Sequence, residues 1–149
     1  MAHETAAVIR AYHDAWTARD FAAASALLAD TLTVEVPVND YPTVNDFAAA
    51  LAAFGSMVTD VELLAAMSDG DEAMLLYDLV AGPVGTLRVA EHFTVADGKI
   101  VRIRQIHDTA PVRRPGHTGA SPHRRRSSRP ADRRPSPSSR RPPARRRSR

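Results

Sequence analysis

Glu91, Gln105 and His107 are of types that can move a proton or hold a ligand oxygen, and they share one stretch, Leu87 to Asp108. Asp97-Gly98 divides that stretch into two alternating segments rich in β-branched residues, the strongest short-range hairpin signal a sequence offers. The pairing register decides the chemistry. A tight turn centred on Asp97-Gly98 would set Glu91 against Arg104, a surface ion pair. A three-residue loop, Ala96-Asp97-Gly98, with Gly98 left-handed in a bulge, would set Glu91 opposite Ile103 and Phe93 opposite Val101. The second register is preferred because it gathers Leu87, Val89, Glu91, Phe93, Val95, Val101, Ile103, Gln105 and His107 on one face. Arg88, His92, Arg102 and Arg104 then fall on the other. Three polar groups on an otherwise apolar concave face imply a ligand site, since burying them unpaired would be costly. In such surroundings desolvation favours the neutral form of Glu91, which can then donate a hydrogen bond or act as a general acid. His107 carries the side-chain type suited to proton transfer near neutrality, and Gln105 can orient a ligand without exchanging protons. His92 is expected on the outer surface and His13 in solvent.

The elements that must position these groups read in order. Val8, Ile9, Tyr12 and Trp16 fall at helical spacing between Glu4 and about Arg19. After a break at Arg19-Asp20, Phe21 to Leu28 forms a short second helix. Thr31 to Val36 alternates as a half-buried strand ended by Pro37. The loop to Asn45 leads into a third helix, capped by Asn45 or Asp46, burying Phe47, Ala50, Leu51 and Phe54 and stopped by Gly55. Strand signals follow at Thr59 to Met67 and Ala73 to Val80, with turns at Ser68-Asp69-Gly70-Asp71 and Ala81-Gly82-Pro83-Val84-Gly85, before the Leu87 to Asp108 hairpin. The pattern predicts an α+β fold, a curved antiparallel sheet wrapped around helices.

Charge divides the 149 residues into two unlike pieces. Residues 1–110 hold 6 Lys/Arg against 16 Asp/Glu, a formal charge of −10, whereas residues 111–149 hold 14 Arg against one Asp, or +13. The overall +3 therefore describes neither. The first piece is expected to be the folded domain. The second, with 8 Pro and 7 Ser and Val112 as its one bulky apolar side chain, is expected to be disordered. Its clusters Arg124-Arg125-Arg126 and Arg145-Arg146-Arg147 could neutralise the phosphates of nucleic acid. They lack the interleaved aromatics of a base-stacking surface. The G+C-rich codons of the tail's residues make read-through or shifted-frame sequence an equal alternative, and docking of the tail on the acidic domain a third. With no cysteine there is no disulfide framework or thiolate metal site, no zinc signature is present, and no cofactor or metal is expected. The absence of a signal-peptide pattern or a membrane-length apolar run makes a cytoplasmic location the expectation.

The segment Val8-Ile9-Arg10-Ala11-Tyr12, the break Ala18-Arg19-Asp20-Phe21, Leu28-Ala29-Asp30, the strand Thr33-Val34-Glu35-Val36-Pro37, and Glu91-His92-Phe93 followed by Asp97-Gly98-Lys99-Ile100 together resemble the nuclear transport factor 2-like superfamily. The nearest resemblance is to its SnoaL-like and ketosteroid-isomerase-like branch, over roughly residues 4–110. It implies a cone-shaped α+β barrel open at one end for a small apolar ligand, in a homodimer. In the isomerases a first-helix tyrosine and a strand carboxylic acid, kept protonated by its apolar site, form an oxyanion hole. Tyr12 matches that tyrosine and Glu91 the acid, one methylene longer. The isomerase general base falls on Val36, and Glu35 beside it points to the opposite side of the strand. In the SnoaL-type polyketide cyclases the catalytic histidine matches Glu91 and the aspartate Gln105, so neither catalytic set is complete.

Two functions follow as expectations. In the first, Tyr12 and Glu91 stabilise an enolate-like oxygen and His107 is the base or acid, in isomerisation, cyclisation or dehydration of a small apolar carbonyl or hydroxylated compound. Trp16, Val36, Phe54, Val89, Ile103 and Gln105 would line the ligand site. In the second, the same fold is a non-catalytic ligand-binding or dimerisation module, to which Val36 and Gln105 point.

Overall fold

The computed structural model describes residues 2–113. Helix α1 (Ala2–Thr17) turns Thr5, Ile9, Tyr12, His13 and Trp16 inward, a stripe at three- and four-residue intervals that a 3.6-residue helix aligns. Arg19, in a left-handed conformation at φ 64°, reverses the chain, and its guanidinium donates to the Val58 carbonyl oxygen. Asp20 then caps α2 (Phe21–Ala26) by accepting from the Ala23 amide at 3.1 Å.

Strand β1 (Leu28–Glu35) follows, and α3 (Val44–Gly55) begins at Thr43 rather than at Asn45 or Asp46. Thr43 and Asp46 form a reciprocal capping box, so Asp46 contributes as the third residue of the helix. Gly55 is the last helical residue rather than a left-handed stop. A Cβ there would lie 2.5 Å from Cε1 of Phe21, so the glycine is needed for the close approach of α2 to α3.

The remaining strands are β2 (Val58–Asp69), β3 (Glu72–Ala81), β4 (Gly85–Ala96) and β5 (Lys99–His107), followed by a four-residue helix, α4 (Ala110–Arg113). They form one curved sheet in the order β1-β5-β4-β3-β2, antiparallel except that β1 runs parallel to β5. The α+β architecture is the one the residue pattern predicts. The Arg-rich tail, beyond its first three residues, lies outside the described residues.

The central hairpin differs from the preferred register. Ala96 pairs with Lys99, so the turn is the tight two-residue form, with Asp97 at φ 52° and Gly98 at φ 72°. The bulge lies further on, where Val95 faces Ile100 but Thr94 faces Arg102, leaving Val101 as the extra residue. Phe93 consequently opposes Ile103, and Glu91 opposes Gln105. The physical reason lies in Ile100 and Ile103, both fully buried. Three residues apart, they cannot both face inward from a regular strand, whose side chains alternate; one inserted residue lets them. Because the bulge changes the pairing by one residue, Glu91 shares the inner face with Gln105 and His107 despite the different loop. Val101, expected inside, is only half-buried.

The inner face of the sheet is unlike at its two ends. At one end Phe93, Val95, Ile100 and Ile103 pack with Leu28, Leu32 and Ile9 into a closed core. The other end, bordered by α1, α3 and the loop after β1, remains open.

Candidate functional site

That open end holds a cavity of about 150 Å³. Tyr12 and Trp16 reach it from α1, Val36 and Tyr41 from the loop after β1, and Phe47 and Phe54 from α3. Strands β3, β4 and β5 supply Tyr77, then Val89 and Glu91, then Gln105 and His107. Of the residues expected at the site, Tyr12, Trp16, Val36, Phe54, Val89, Glu91, Gln105 and His107 are therefore brought together. Ile103 is not: it is buried beneath the cavity opposite Phe93, and the register difference explains the correction.

Glu91 is 1 % exposed. The Gln105 amide nitrogen donates to its Oε2 and the Tyr77 hydroxyl to its Oε1 at 3.3 Å. Burial pushes its carboxyl up from 4.5 to about 7, against the opposing effect of these two donors, Gln105 before Tyr77. Near neutrality both protonation states are thus populated. The position of the added proton follows from the partners. The Gln105 amide nitrogen can only donate, so Oε2 remains an acceptor and the neutral acid carries its proton on Oε1, beside Tyr77. The ion pair with Arg104 offered by the alternative register does not form. Arg104 and Arg102 instead meet Glu35 on the outer face at 3.0 and 3.2 Å.

Tyr12 is fully buried with its ring edge-on to Phe93, centroids 5.8 Å apart. Its phenol is held well above the usual 10, first by burial and then by the charge of Glu91, so it is a hydrogen-bond donor throughout the physiological range. Tyr77 is raised for the same two reasons, with Tyr12 and the hydrogen bond to Glu91 adding to them. Tyr77 shares the inward side of its strand with Leu75 and Leu79, but its bond to Glu91 depends on a diagonal neighbour relation: Leu75 is the residue directly opposite Glu91, and Val89 the one opposite Tyr77. No single-strand signal contains that relation.

The half-buried His107 lies at the end of β5, with Nδ1 2.9 Å from the Asp108 carbonyl oxygen. That contact is a hydrogen bond only if Nδ1 carries the proton, which leaves Nε2 as the basic nitrogen. His13 is not in solvent, as its position on α1 had implied, but 4 % exposed. Its ring sits 5.1 Å from Tyr77 and 5.5 Å from Trp16, centroid to centroid, and Nδ1 has no hydrogen-bond partner among the described residues. Burial lowers its pKa, which Asp14 opposes and Arg10 reinforces. His92 is on the outer face as expected, 3.1 Å from Glu72. Among the described residues no group of three His, Asp or Glu side chains could hold a metal ion, and no helix is long and apolar enough to cross a membrane.

Comparison with known proteins places this geometry in a wider setting. Residues 9–103 match the model of the SnoaL-like domain. A protein of known crystal structure from Kribbella flavida is 33 % identical, with a TM-score of 0.69 over 72 % of this chain and 89 % of its own. An epoxide hydrolase of the LEH-like type from M. tuberculosis is 24 % identical, with a TM-score of 0.62 over 72 % and 85 % of the two chains. An NTF2-like protein from Cytophaga hutchinsonii, 15 % identical, superposes with a TM-score of 0.64 over 74 % and 95 %. At these lower identities the likeness shows the fold. No curated protein matches the chain.

Proposed function

Because the chain belongs to the SnoaL-like domain family and has its NTF2-like fold, we propose that the cavity is a proton-transfer site for a small, largely apolar carbonyl or hydroxylated compound, which it isomerises, cyclises or dehydrates. The observation that carries this reading is Glu91: an acid buried at the edge of a largely apolar cavity and fixed by a donor on each oxygen. Solved structures of this fold include a ketosteroid isomerase candidate and a polyketide cyclase candidate, from Kribbella flavida and Sinorhizobium meliloti. Both are under 25 % identical to this chain, so they add a range of chemistries rather than an assignment.

In the proposed reaction, Nε2 of His107 takes a proton from the carbon beside a ligand carbonyl. The C–H electron pair moves into the carbon skeleton and the charge collects on oxygen. The Tyr12 hydroxyl and the Oε1 proton of Glu91 then stabilise that oxygen, and the proton returns from His107 to another carbon. The dry, aromatic walls strengthen those hydrogen bonds relative to water. The cavity accommodates a body about the size of a single ring, since an engineered void of ~150 Å³ accepts benzene.

The test is deuterium uptake beside the carbonyl of a small cyclic ketone, followed by NMR. His107→Gln is expected to abolish catalysed exchange with ketone binding retained, and Glu91→Gln to slow it about 100-fold. Exchange no faster than in buffer would favour the second reading, a binding module, for which the specific observation is Val36. It faces the cavity with an apolar side chain where the family resemblance would put a base. The same proposal includes a homodimer, for which exposed Met74 and Ile106 on the outer sheet face offer apolar contact; sedimentation measures it.

A further inference from the structure

Among the described residues Glu91 has no cationic partner. Its hydrogen bonds come from an amide and a phenol, while Arg88, Arg102 and Arg104 on its own and the adjacent strand are engaged on the outer face with Asp78 and Glu35. Six aromatic residues line the cavity beside it: Tyr12, Trp16, Tyr41, Phe47, Phe54 and Tyr77. Among the described residues no lysine or arginine lines it. A buried carboxylate without a counter-charge, in a small chamber of aromatic rings, is complementary to a positive ligand.

We propose that the cavity binds compact organic ammonium ions, of about the size of benzylammonium, with the ammonium group on the Glu91 carboxylate. This goes beyond the proton-transfer reading and does not depend on it: that reading uses the neutral acid against a neutral oxygen, whereas this one uses the ionised acid. Three effects add. The desolvation of Glu91 is already borne by the folded protein, so the ligand loses only its own hydration. Within the cavity's low dielectric the charge pair attracts far more strongly than in water. Aromatic rings add cation–π attraction, which is largest for desolvated cations. Oε1 has capacity for a further donor, because a carboxylate oxygen has two lone pairs and the Tyr77 hydroxyl occupies one. Carboxylate ligands meet the opposite situation and are rejected.

The groups facing Glu91 limit what else can give a pH response. Tyr77 comes from β3, Gln105 and His107 from β5 and Tyr12 from α1; the loop after β1 and α3 contribute no charged side chain to the lining. Both phenols stay neutral here, and His107 is the remaining ionisable side chain among these groups.

The experiment is calorimetric titration of the full chain with benzylammonium, benzyl alcohol and benzoate at about pH 6 and about pH 8.5, where benzylammonium, though more acidic than the lysine ammonium, is still mostly protonated. Benzylammonium is expected to bind about tenfold more tightly at the higher pH, following the ionised fraction of Glu91, and more tightly there than benzyl alcohol. Benzoate is expected not to bind. Glu91→Gln should erase the preference for the cation, and Asp78→Asn, on the outer face, should keep it. Should Glu91→Gln fail to fold, proton release by the unmodified protein takes its place: near pH 7, in buffers of different ionisation enthalpy, cation binding should release about half a proton. Benzyl alcohol binding as tightly as benzylammonium at the higher pH, a preference that survives Glu91→Gln, or binding without proton release would each overturn the proposal.

Discussion

On the outer face of the sheet, Glu35 lies between Arg102 and Arg104, and Asp78 is gripped by Arg88 through two hydrogen bonds of 2.7 and 2.8 Å. On the inner face of β4, Glu91 has, among the described residues, only an amide and a phenol. The outer acids are in water and have the stronger partners; the inner acid is out of water and has the weaker ones. Folding stability alone would arrange the reverse, because a buried charge needs compensation and an exposed one does not. The difference is what the proposed site needs: the destabilising acid borders the cavity, and the outer acids are paired away from it.

The largest expected effect tests whether the inner face is a receptive surface throughout or only around Glu91. Phe93 is two residues along the same strand, fully buried and packed against Tyr12. Phe93→Ala should lower stability by about 3–5 kcal/mol, as truncation of a packed aromatic does. Denaturant unfolding measures it. A much smaller loss would mean that the closed end is as loosely filled as the open one.

Next in size is the cost of Glu91 itself. An acid raised from 4.5 in the unfolded chain to about 7 in the folded one binds more protons when folded, so its contribution is fully favourable below about 4.5 and is lost as pH rises to 7. The difference corresponds to about 3 kcal/mol. Glu91→Gln should therefore be more stable than the unmodified protein above pH 7, by up to about that amount, with the advantage vanishing toward pH 4.5. His13 acts in the opposite sense. With its pKa lowered by burial, it is resisted as a cation in the fold, and both proteins should lose stability as pH falls below its ordinary 6.5. Parallel stability curves for the two proteins from pH 5 to 8 would show that Glu91 is not a buried, titrating acid.

Tyr77→Phe separates the donor from the burial. Without the Tyr77 hydroxyl the ionised acid loses one of its two stabilising bonds, so Glu91 should titrate above about 7, readable from its carboxyl carbon by NMR. The accompanying loss of stability should be about 1 kcal/mol when the acid is ionised and smaller when it is neutral.

How far the sequence discloses all this depends on how local each signal is. The α1 stripe, the alternation of β3 and β4 and the position of the Asp97-Gly98 turn are local patterns and are found where the residues place them, although the turn takes the tight form rather than the three-residue loop. Face segregation put Glu91, Gln105 and His107 together although the assumed loop was one residue too long, because parity is a stronger constraint than register. The bulge at Val101 was missed, yet its cause, two isoleucines three residues apart that both need burial, is visible in Ile100-Val101-Arg102-Ile103. Tyr77 as a partner of Glu91, the parallel pairing of β1 with β5 and the burial of His13 were not legible in the same way. Each depends on contacts between elements well separated along the chain.

The smallest effect is expected at Asp78. Its pairing with Arg88 has good geometry on paper: two short hydrogen bonds, residues directly opposite each other on neighbouring strands, and a carboxyl held below its ordinary value chiefly by that hydrogen bond. Water and salt nevertheless reach it on the Arg88 side, and a solvent-accessible pair gains little over its separately hydrated partners. Asp78→Asn should leave the thermal midpoint unchanged within error, at low salt and at high. If instead it destabilised the fold as much as Tyr77→Phe, the outer ion pairs would be holding the sheet together. The contrast between the faces would then reflect how the strands are joined, and the isolation of Glu91 would cease to be a guide to where a ligand binds.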